Sequence, residues 1–394
     1  MEFKDIVICS AKRTPIGKFS GGLSSLSAVE MGVHAVHAVL AESGIDPKLV
    51  DEVYMGHARQ AGCGPNPARQ VSIRTGIPET SVATTINMAC ASGLKAIVLG
   101  AQQIQLGISD VVVAGGMESM TNVPHMLTGM RDGYRLTHGE VIDLMYRDGF
   151  HCPLADQLMG RTAETLREQY DLSREEQDEF AVHSHHKAEK AIKAGAFKAE
   201  ISPVTIKTRK GETLIEHDEP VREGQSMQAL GKLHAVFMEG GSVTPGNASG
   251  ITDGASAVLL MSAARAKELG LEVLARLEGF AFAGVDPKVM GLGPVPATRK
   301  LNEQLGLKIE DYDLVELNEA FAAQVLACDR ELKIPRDRLN VNGGAIALGH
   351  PIGNTGARIV TTLAHAMKQR KANRGLATLC VSGGLGAAVS IVRG

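Results

Sequence analysis

Apolar and polar positions along the chain fall into a repeating two-part pattern. Short β-branched runs at residues 5–9 (DIVIC), 51–54 (DEVY) and 110–114 (DVVVA) predict buried strands. Between them, residues 28–41 and 93–105 carry apolar side chains at helical spacing. In the second stretch Leu94, Ile97, Val98, Ala101 and Ile104 share one face. Strands alternating with helices of this length predict an α/β chain whose mostly parallel sheet is covered by helices.

The C-terminal part repeats the pattern. Residues 313–317 (DLVEL), 375–381 (GLATLCV) and 387–392 (AAVSIV) predict strands, the last two joined by a turn at 383–386. Residues 318–326 and 356–366 predict helices, with Asn318 as an N-cap. VVVAGG at 111–116 parallels LCVSGG at 379–384. The small-residue turn 87–93 parallels 342–356. These echoes predict an internal duplication. Residues 120–250 break the pattern with charge, Met, His and the loop signals Gly129, Gly133, Gly139 and Pro153. One helix stands out there: Ser173 caps it, Glu176 closes a capping box and Gly195 stops it. Residues 247–261 (NASGITDGASAVLLM) return to buried-strand composition. The expected organisation is a first half at 1–119 with 251–272, an insertion at 120–250, and a second half at 273–394.

Composition narrows the function classes. A chain of 394 residues that is 44% apolar and 22% charged buries large cores. Forty-four glycines, no Trp and 4% aromatics suit tight turns and close backbone packing better than an aromatic-rich binding sandwich. A net charge of −3 argues against a dedicated nucleic-acid or membrane-surface protein. No apolar run approaches the roughly 18 residues of a membrane helix. Residues 1–10 (MEFKDIVICS) read as a first strand, not a signal peptide, and 390–394 (SIVRG) carries no lipidation or retention signal. The cysteines at 9, 63, 90, 152, 328 and 380 form no CxxC pair, so a reducing cytoplasm is the expected compartment.

Three side chains stand out chemically. Cys90 sits where a strand pattern ends and a helix begins. There, helix N–H groups and the dipole favour a thiolate, and Ala89, Ala91, Ser92 and Gly93 leave room for a substrate. A structural cysteine in a tight turn explains the same residues. Cys380 ends a strand before a glycine-rich turn whose N–H groups suit an anion, and a core cysteine is again the bland reading. The GxGxxA-like string at 384–388 is not a dinucleotide site, because too little chain follows for a βαβ unit. His350, among the glycines of NGGAIALGHPIGNTG, is placed as a base or donor, or as a loop cap. His183, His185 and His186 lie on a charged helix and are expected to be solvated. No metal-ligand spacing, phosphate loop or GxSxG elbow is present. Cys, His and Asn are also the residue types of papain-like hydrolases, but the CGSCW-type context is absent and Cys380 would be left without a task. A scaffold with inert thiols is the non-enzymatic alternative.

The motifs AKRTPIGKFSGGL at 11–23, NMACASGLKA at 87–96, GGMESM at 115–120, GNASGITDG at 246–254, NEAF at 318–321, GGAIALGHPIG at 343–353 and CVSGGLG at 380–386 occur in one order over essentially the whole chain. In these the sequence resembles the thiolases, and among them the biosynthetic acetyl-CoA acetyltransferases. The resemblance implies a five-layer αβαβα thiolase fold of two duplicated halves, with an inserted loop domain for coenzyme A binding and tetramer contacts. It implies a homotetramer, and acetyl-CoA, acetoacetyl-CoA and coenzyme A as partners, with no cofactor or metal. It also implies roles: Cys90 as nucleophile, His350 supporting it, Cys380 as the α-proton base, Asn318 holding a water, and the Cys90 and Ser382 N–H groups as the oxyanion hole. Ser382 departs from the glycine usual there. More loosely, Arg222 and Ser249 match coenzyme A contacts, and Met159, Phe237, Met290 and Phe321 lie in segments lining the acyl pocket. Leu158 stands where many acetoacetyl-specific members carry a His, which keeps a broader 3-ketoacyl-CoA thiolase in view.

Overall fold

A computed structural model describes residues 5–209 and 211–394; residues 1–4 of the expected first strand lie outside the described residues. The first half contributes strands β1 (Ile6–Arg13), β2 (Glu52–Gly56), β3 (Val82–Ile86), β4 (Val111–Ser119) and β5 (Thr252–Ser262). Its helices are α1 (Ala28–Ser43), α2 (Pro67–Arg74) and α3 (Ser92–Leu106). Helices α4 (Met159–Gln169) and α5 (Arg174–Lys193) lie between β4 and β5 in the chain. The second half contributes β6 (Ala275–Gly284), β7 (Leu314–Leu317), β8 (Arg374–Val381) and β9 (Leu385–Arg393). Its helices are α6 (Pro294–Leu305), α7 (Ala322–Leu332) and α8 (Ile352–Arg370).

The strands run in the order β7-β8-β9-β6-β1-β5-β4-β2-β3. Only β7–β8, β2–β3 and β2–β4 are parallel; the five other neighbouring pairs are antiparallel. The expectation of a mostly parallel sheet is therefore corrected. The reason is that β1 and β5, and likewise β6 and β9, are returning strands that close each half rather than βαβ crossovers. The duplication appears in the order itself. Reading outward from the centre, each half runs first strand, last strand, fourth strand, second strand. In the second half the third strand is reduced to a bridge between Val315 and Leu339.

Alternating side chains of the fully buried strands build the layers. Val113 and Leu259 face α1 through Met31, Ala35 and Val36. Val112 and Leu260 point the other way, toward α3 and α8 through Ile97, Val98 and Leu363. The inner face of the second half, with Leu379 and Val389, closes on the same two helices. Its outer face packs Val315 and Leu376 against α6 and α7. The result is helix, sheet, helix, sheet, helix. Among the described residues no helix is long and apolar enough to cross a membrane.

The central helices meet almost backbone to backbone. A Cβ on Gly93 would lie 2.8 Å from Ala357 N, and one on Gly356 would lie 2.7 Å from the Leu94 Cβ and closer still to its N. This contact brings the N-terminal ends of α3 and α8, and so the turns holding Cys90 and His350, to one place. Gly356→Ala is expected to cost about 1–3 kcal/mol by overpacking and to lower activity by moving the two turns apart. Urea unfolding and a turnover assay check this; unchanged values for both would show that the helices have room to spare.

Residues 120–250 pack over the ends of the strands. The capping box of Ser173 and Glu176 starts α5, and Gly195, at φ +70°, follows its end. Arg13 on β1 ties this segment down from below. Its guanidinium donates to Glu200 at 2.6 Å and to both Asp218 oxygens at 2.7 and 2.9 Å. The return strand begins at Thr252 rather than at 247. Asn247 is instead held in a turn by Asp178 (2.9 Å) and the Ser242 carbonyl (3.0 Å), which leaves 248–251 free to face a cavity.

Candidate active site

The cavity, of about 460 Å³, opens where the duplicated halves meet, beside the C-terminal ends of β2, β3, β7 and β8. Ligands in α/β folds gather at such strand ends. Cys90, His350, Cys380 and Ser382 all line it. Two sulfurs far apart in the chain thus share one chamber with one imidazole.

Cys90 lies in a 3-10 turn between β3 and α3. Ala89 holds a positive φ of 43°, a conformation that costs energy for a residue with a side chain. The Ala89 N–H donates to Asn87 Oδ1 at 3.0 Å, the Ser92 hydroxyl donates to the Ala89 carbonyl at 2.6 Å, and Ser92 Oγ accepts from Met88 N–H at 2.9 Å. These bonds hold the turn that presents the thiol. Burial pushes the Cys90 thiol up; the Ser382 N–H and then Arg59 pull it back without fully offsetting burial. The expected lowering by the helix terminus is therefore corrected: the desolvation of this turn outweighs it.

His350 precedes α8, after Gly349 at φ +100°, where a Cβ would press on Thr252. Its Nδ1 lies 2.6 Å from Thr355 Oγ1, whose hydroxyl donates to the Pro351 carbonyl at 3.0 Å. A hydroxyl has one proton, so Oγ1 accepts from Nδ1–H and Nε2 is left as an acceptor. Burial, and after it the charges of Arg358 and Arg59, lower His350 to about 3. It is a neutral imidazole at working pH.

Cys380 is 1% exposed and packs with Met290 and Ala320, with Met159 and Phe321 against them. Burial and the neighbouring Cys90 push its thiol well up. The turn that follows demands glycine: at Gly384, φ +84°, a Cβ would also lie 2.8 Å from Pro287 N. Phe237 and Phe321 meet edge to face at 6.2 Å and, with Met159 and Met290, narrow the chamber beside Cys380. Leu158 joins this wall.

Ser249 and the exposed Arg222 lie on the same lining. The Ser249 N–H donates to the Ala320 carbonyl at 3.0 Å. His185 is buried, which corrects the expectation of a solvated histidine. Its Nδ1 accepts the Arg222 N–H at 3.2 Å because α5 turns that face toward the 218–225 loop. Burial lowers it to about 4, so it is free to accept.

Asn318 is the one catalytic candidate absent from the lining. It is not an N-cap either. The helix starts at Ala322 behind Phe321, because residues 318–321 are held by β8 and the 247–251 loop: the Asn318 N–H donates to the Thr378 carbonyl at 3.0 Å and the Ala320 carbonyl accepts from the Ser249 N–H. Its amide is buried with no partner on Oδ1 or Nδ2. A buried amide of this kind is suited to a water or substrate group.

Sequence reasoning missed Arg59, Glu118 and Thr355. Arg59 follows β2, and no local pattern marked it, because Glu118 and Gly149 reach it only through the fold. Glu118, at the end of β4, accepts from the N–H groups of Ala58 (3.2 Å), Arg59 (3.1 Å) and Gly353 (2.8 Å). It thereby staples the loop of one half to the helix of the other.

Residues 6–264 match the family model "Thiolase, N-terminal domain", and residues 271–393 match "Thiolase, C-terminal domain". An acetyl-CoA acetyltransferase of Pseudomonas aeruginosa is 51% identical over 391 residues, 99% of this chain and 100% of that protein. One from Escherichia coli is 49% identical, covering 99% of each chain. The crystal structure of the Bacillus anthracis acetyl-CoA acetyltransferase superposes with a TM-score of 0.97 at 46% identity, covering 99% of each chain. The human mitochondrial 3-ketoacyl-CoA thiolase superposes with the same TM-score, 0.97, at 38% identity and 99% coverage of each.

Proposed function

Because the chain belongs to the thiolase family of acyltransferases, we propose that it condenses two acetyl-CoA molecules, reversibly, to acetoacetyl-CoA and coenzyme A through an acyl group carried on Cys90. The observation that carries this reading is the convergence of Cys90, Cys380 and His350 on one cavity.

In the first half-reaction His350 Nε2 takes the Cys90 proton and the thiolate attacks the thioester carbonyl. The oxyanion meets the N–H groups of Cys90 and Ser382. Collapse breaks the bond to coenzyme A, whose sulfur takes the proton from His350. The buried sulfurs oppose each other's ionisation, as the upward push of Cys90 on Cys380 indicates. Acylation removes the charge from Cys90, so Cys380 passes its own proton to His350 and stands as the thiolate base. In the second half-reaction Cys380 takes the α-proton of a second acetyl-CoA. His350, with a water on Asn318, stabilises the enolate. The enolate attacks the acetyl carbon on Cys90, and collapse releases acetoacetyl-CoA and the Cys90 thiolate, which takes the proton back from His350. Residues of the chain supply every proton transfer, and the reading includes no cofactor. The hydrolase alternative is disfavoured because it gives Cys380 no task.

Ser249 and Arg222 suit the pantetheine arm and the nucleotide end of coenzyme A, the first inside the lining and the second exposed. The crowding of Met159, Phe237, Met290 and Phe321 supports a short acyl group. Leu158, an apolar side chain on the wall in place of a His, favours the second reading, a broader 3-ketoacyl-CoA thiolase. Thiolysis rates on acetoacetyl-, 3-ketohexanoyl- and 3-ketooctanoyl-CoA separate them. The short-chain reading expects kcat/KM to fall by about 10-fold or more per step; equal rates on all three reject it.

The reading extends to a cytoplasmic homotetramer. Six free cysteines suit a reducing compartment. Leu136 (80% exposed) and Val141 (69%), with Leu127 and Met130 nearby, leave an apolar loop in need of a partner surface. Domain-wise, residues 120–250 would act as the insert that serves coenzyme A and tetramer contacts.

A further inference from the structure

Arg59 is 8% exposed and lines the same cavity as Cys90. Its main-chain N–H is held by Glu118 at 3.1 Å, so the residue is fixed in place. Its guanidinium forms no ion pair among the described residues, and Nε has no partner. Gly149 packs against the guanidinium face; a Cβ there would lie 2.6 Å from Nη2. A buried cation without a counter-ion is costly, and its retention calls for an anion that arrives during function.

Of the titratable and charged groups acting here, Cys90, Cys380 on β8 and His350 before α8 line the cavity with Arg59, while Glu118 on β4 and Arg358 on α8 act from behind it. Among the described residues Glu118 is a carboxylate on which the charge of Arg59 acts, and it is already committed. Besides its three N–H donors it pairs with His57 Nε2 at 3.2 Å. Burial pulls His57 down, but the neighbouring Cys63 and Glu118 carry it up to about 9, so His57 holds the proton that balances Glu118. The charge of Arg59 is left for the cavity.

We propose that Arg59 is a positioning residue that serves as standing counter-ion to the Cys90 thiolate. This inference rests on the reading of Cys90 as nucleophile and adds the source of its charge stabilisation. Arg59 acts oppositely on the two partners: it favours the anion on sulfur and disfavours a cation on His350. Arg59 therefore supports the sulfur anion directly, and by opposing a charge on His350 it drives the proton taken from the thiol onward to the coenzyme A sulfur.

The test is the pH dependence of Cys90 alkylation by iodoacetamide, read at the Cys90 peptide by mass spectrometry, in wild type, Arg59→Met, Arg59→Gln and Arg59→Lys. Thermal unfolding is recorded for each. The midpoint is expected to rise by about one pH unit in the Met and Gln variants and to return toward wild type in Lys. Gln retains a hydrogen-bonding side chain, so a shared shift in Met and Gln reports the charge. A common midpoint in all four proteins overturns the inference. Wild-type Cys90 that takes no acetyl group from acetyl-CoA would instead defeat the nucleophile reading, and the alkylation midpoints would still decide the effect of Arg59.

Discussion

Cys90→Ala is expected to abolish acyl-enzyme formation and to lower turnover by at least about 10⁴-fold, as loss of a covalent nucleophile does elsewhere. The residue occupies a strained turn built by Asn87 and Ser92 rather than by the sulfur. The variant should therefore fold with nearly wild-type stability, and the loss should be chemical. Radiolabelled acetyl-CoA provides the readout: label stays on wild type through gel filtration and is absent from the variant. A variant that retains stoichiometric label would move the nucleophile elsewhere, and Cys380 would be the first place to look.

Cys380→Ser should separate the two half-reactions. An alcohol is a far weaker acid than a thiol, so serine in that apolar pocket stays neutral and cannot take an α-proton. Acylation of Cys90 is expected to proceed near the wild-type rate. Exchange of acetyl-CoA methyl protons with deuterium oxide should slow by roughly 10²–10⁴-fold, the usual range for a lost general base. Packing changes little, because the neighbours Met290, Ala320, Met159 and Phe321 accommodate a smaller atom. Normal exchange in this variant would remove Cys380 from the base role and leave His350 as the alternative.

Periodicity and caps made much of the molecule legible in advance. The capping box of Ser173 and Glu176, the two-fold echo of strands and turns, and the apolar stripe of α3 all report local physics, and all stand in the structure. Strand direction does not follow from local pattern. A fully buried antiparallel strand such as β5 reads like a parallel one, since both faces are apolar. At the site, Cys90, His350 and Cys380 were marked by their glycine-rich turns. Arg59 was not, because its role comes from Glu118 and Gly149, which only the fold brings beside it. Asn318 shows the same limit: its place after β7 suggests a cap, yet tertiary contacts draw it inward. His185 looked solvated on a charged helix and is buried by a loop that follows it in the chain.

The most direct measurement is a crystal structure of the protein soaked with acetyl-CoA. The account predicts an acetyl group on the Cys90 sulfur, its oxygen on the N–H groups of Cys90 and Ser382, and a second acetyl-CoA with its methyl carbon facing Cys380 and its carbonyl facing His350. An acetyl group bound elsewhere, or a second thioester whose methyl lies out of reach of Cys380, would contradict it.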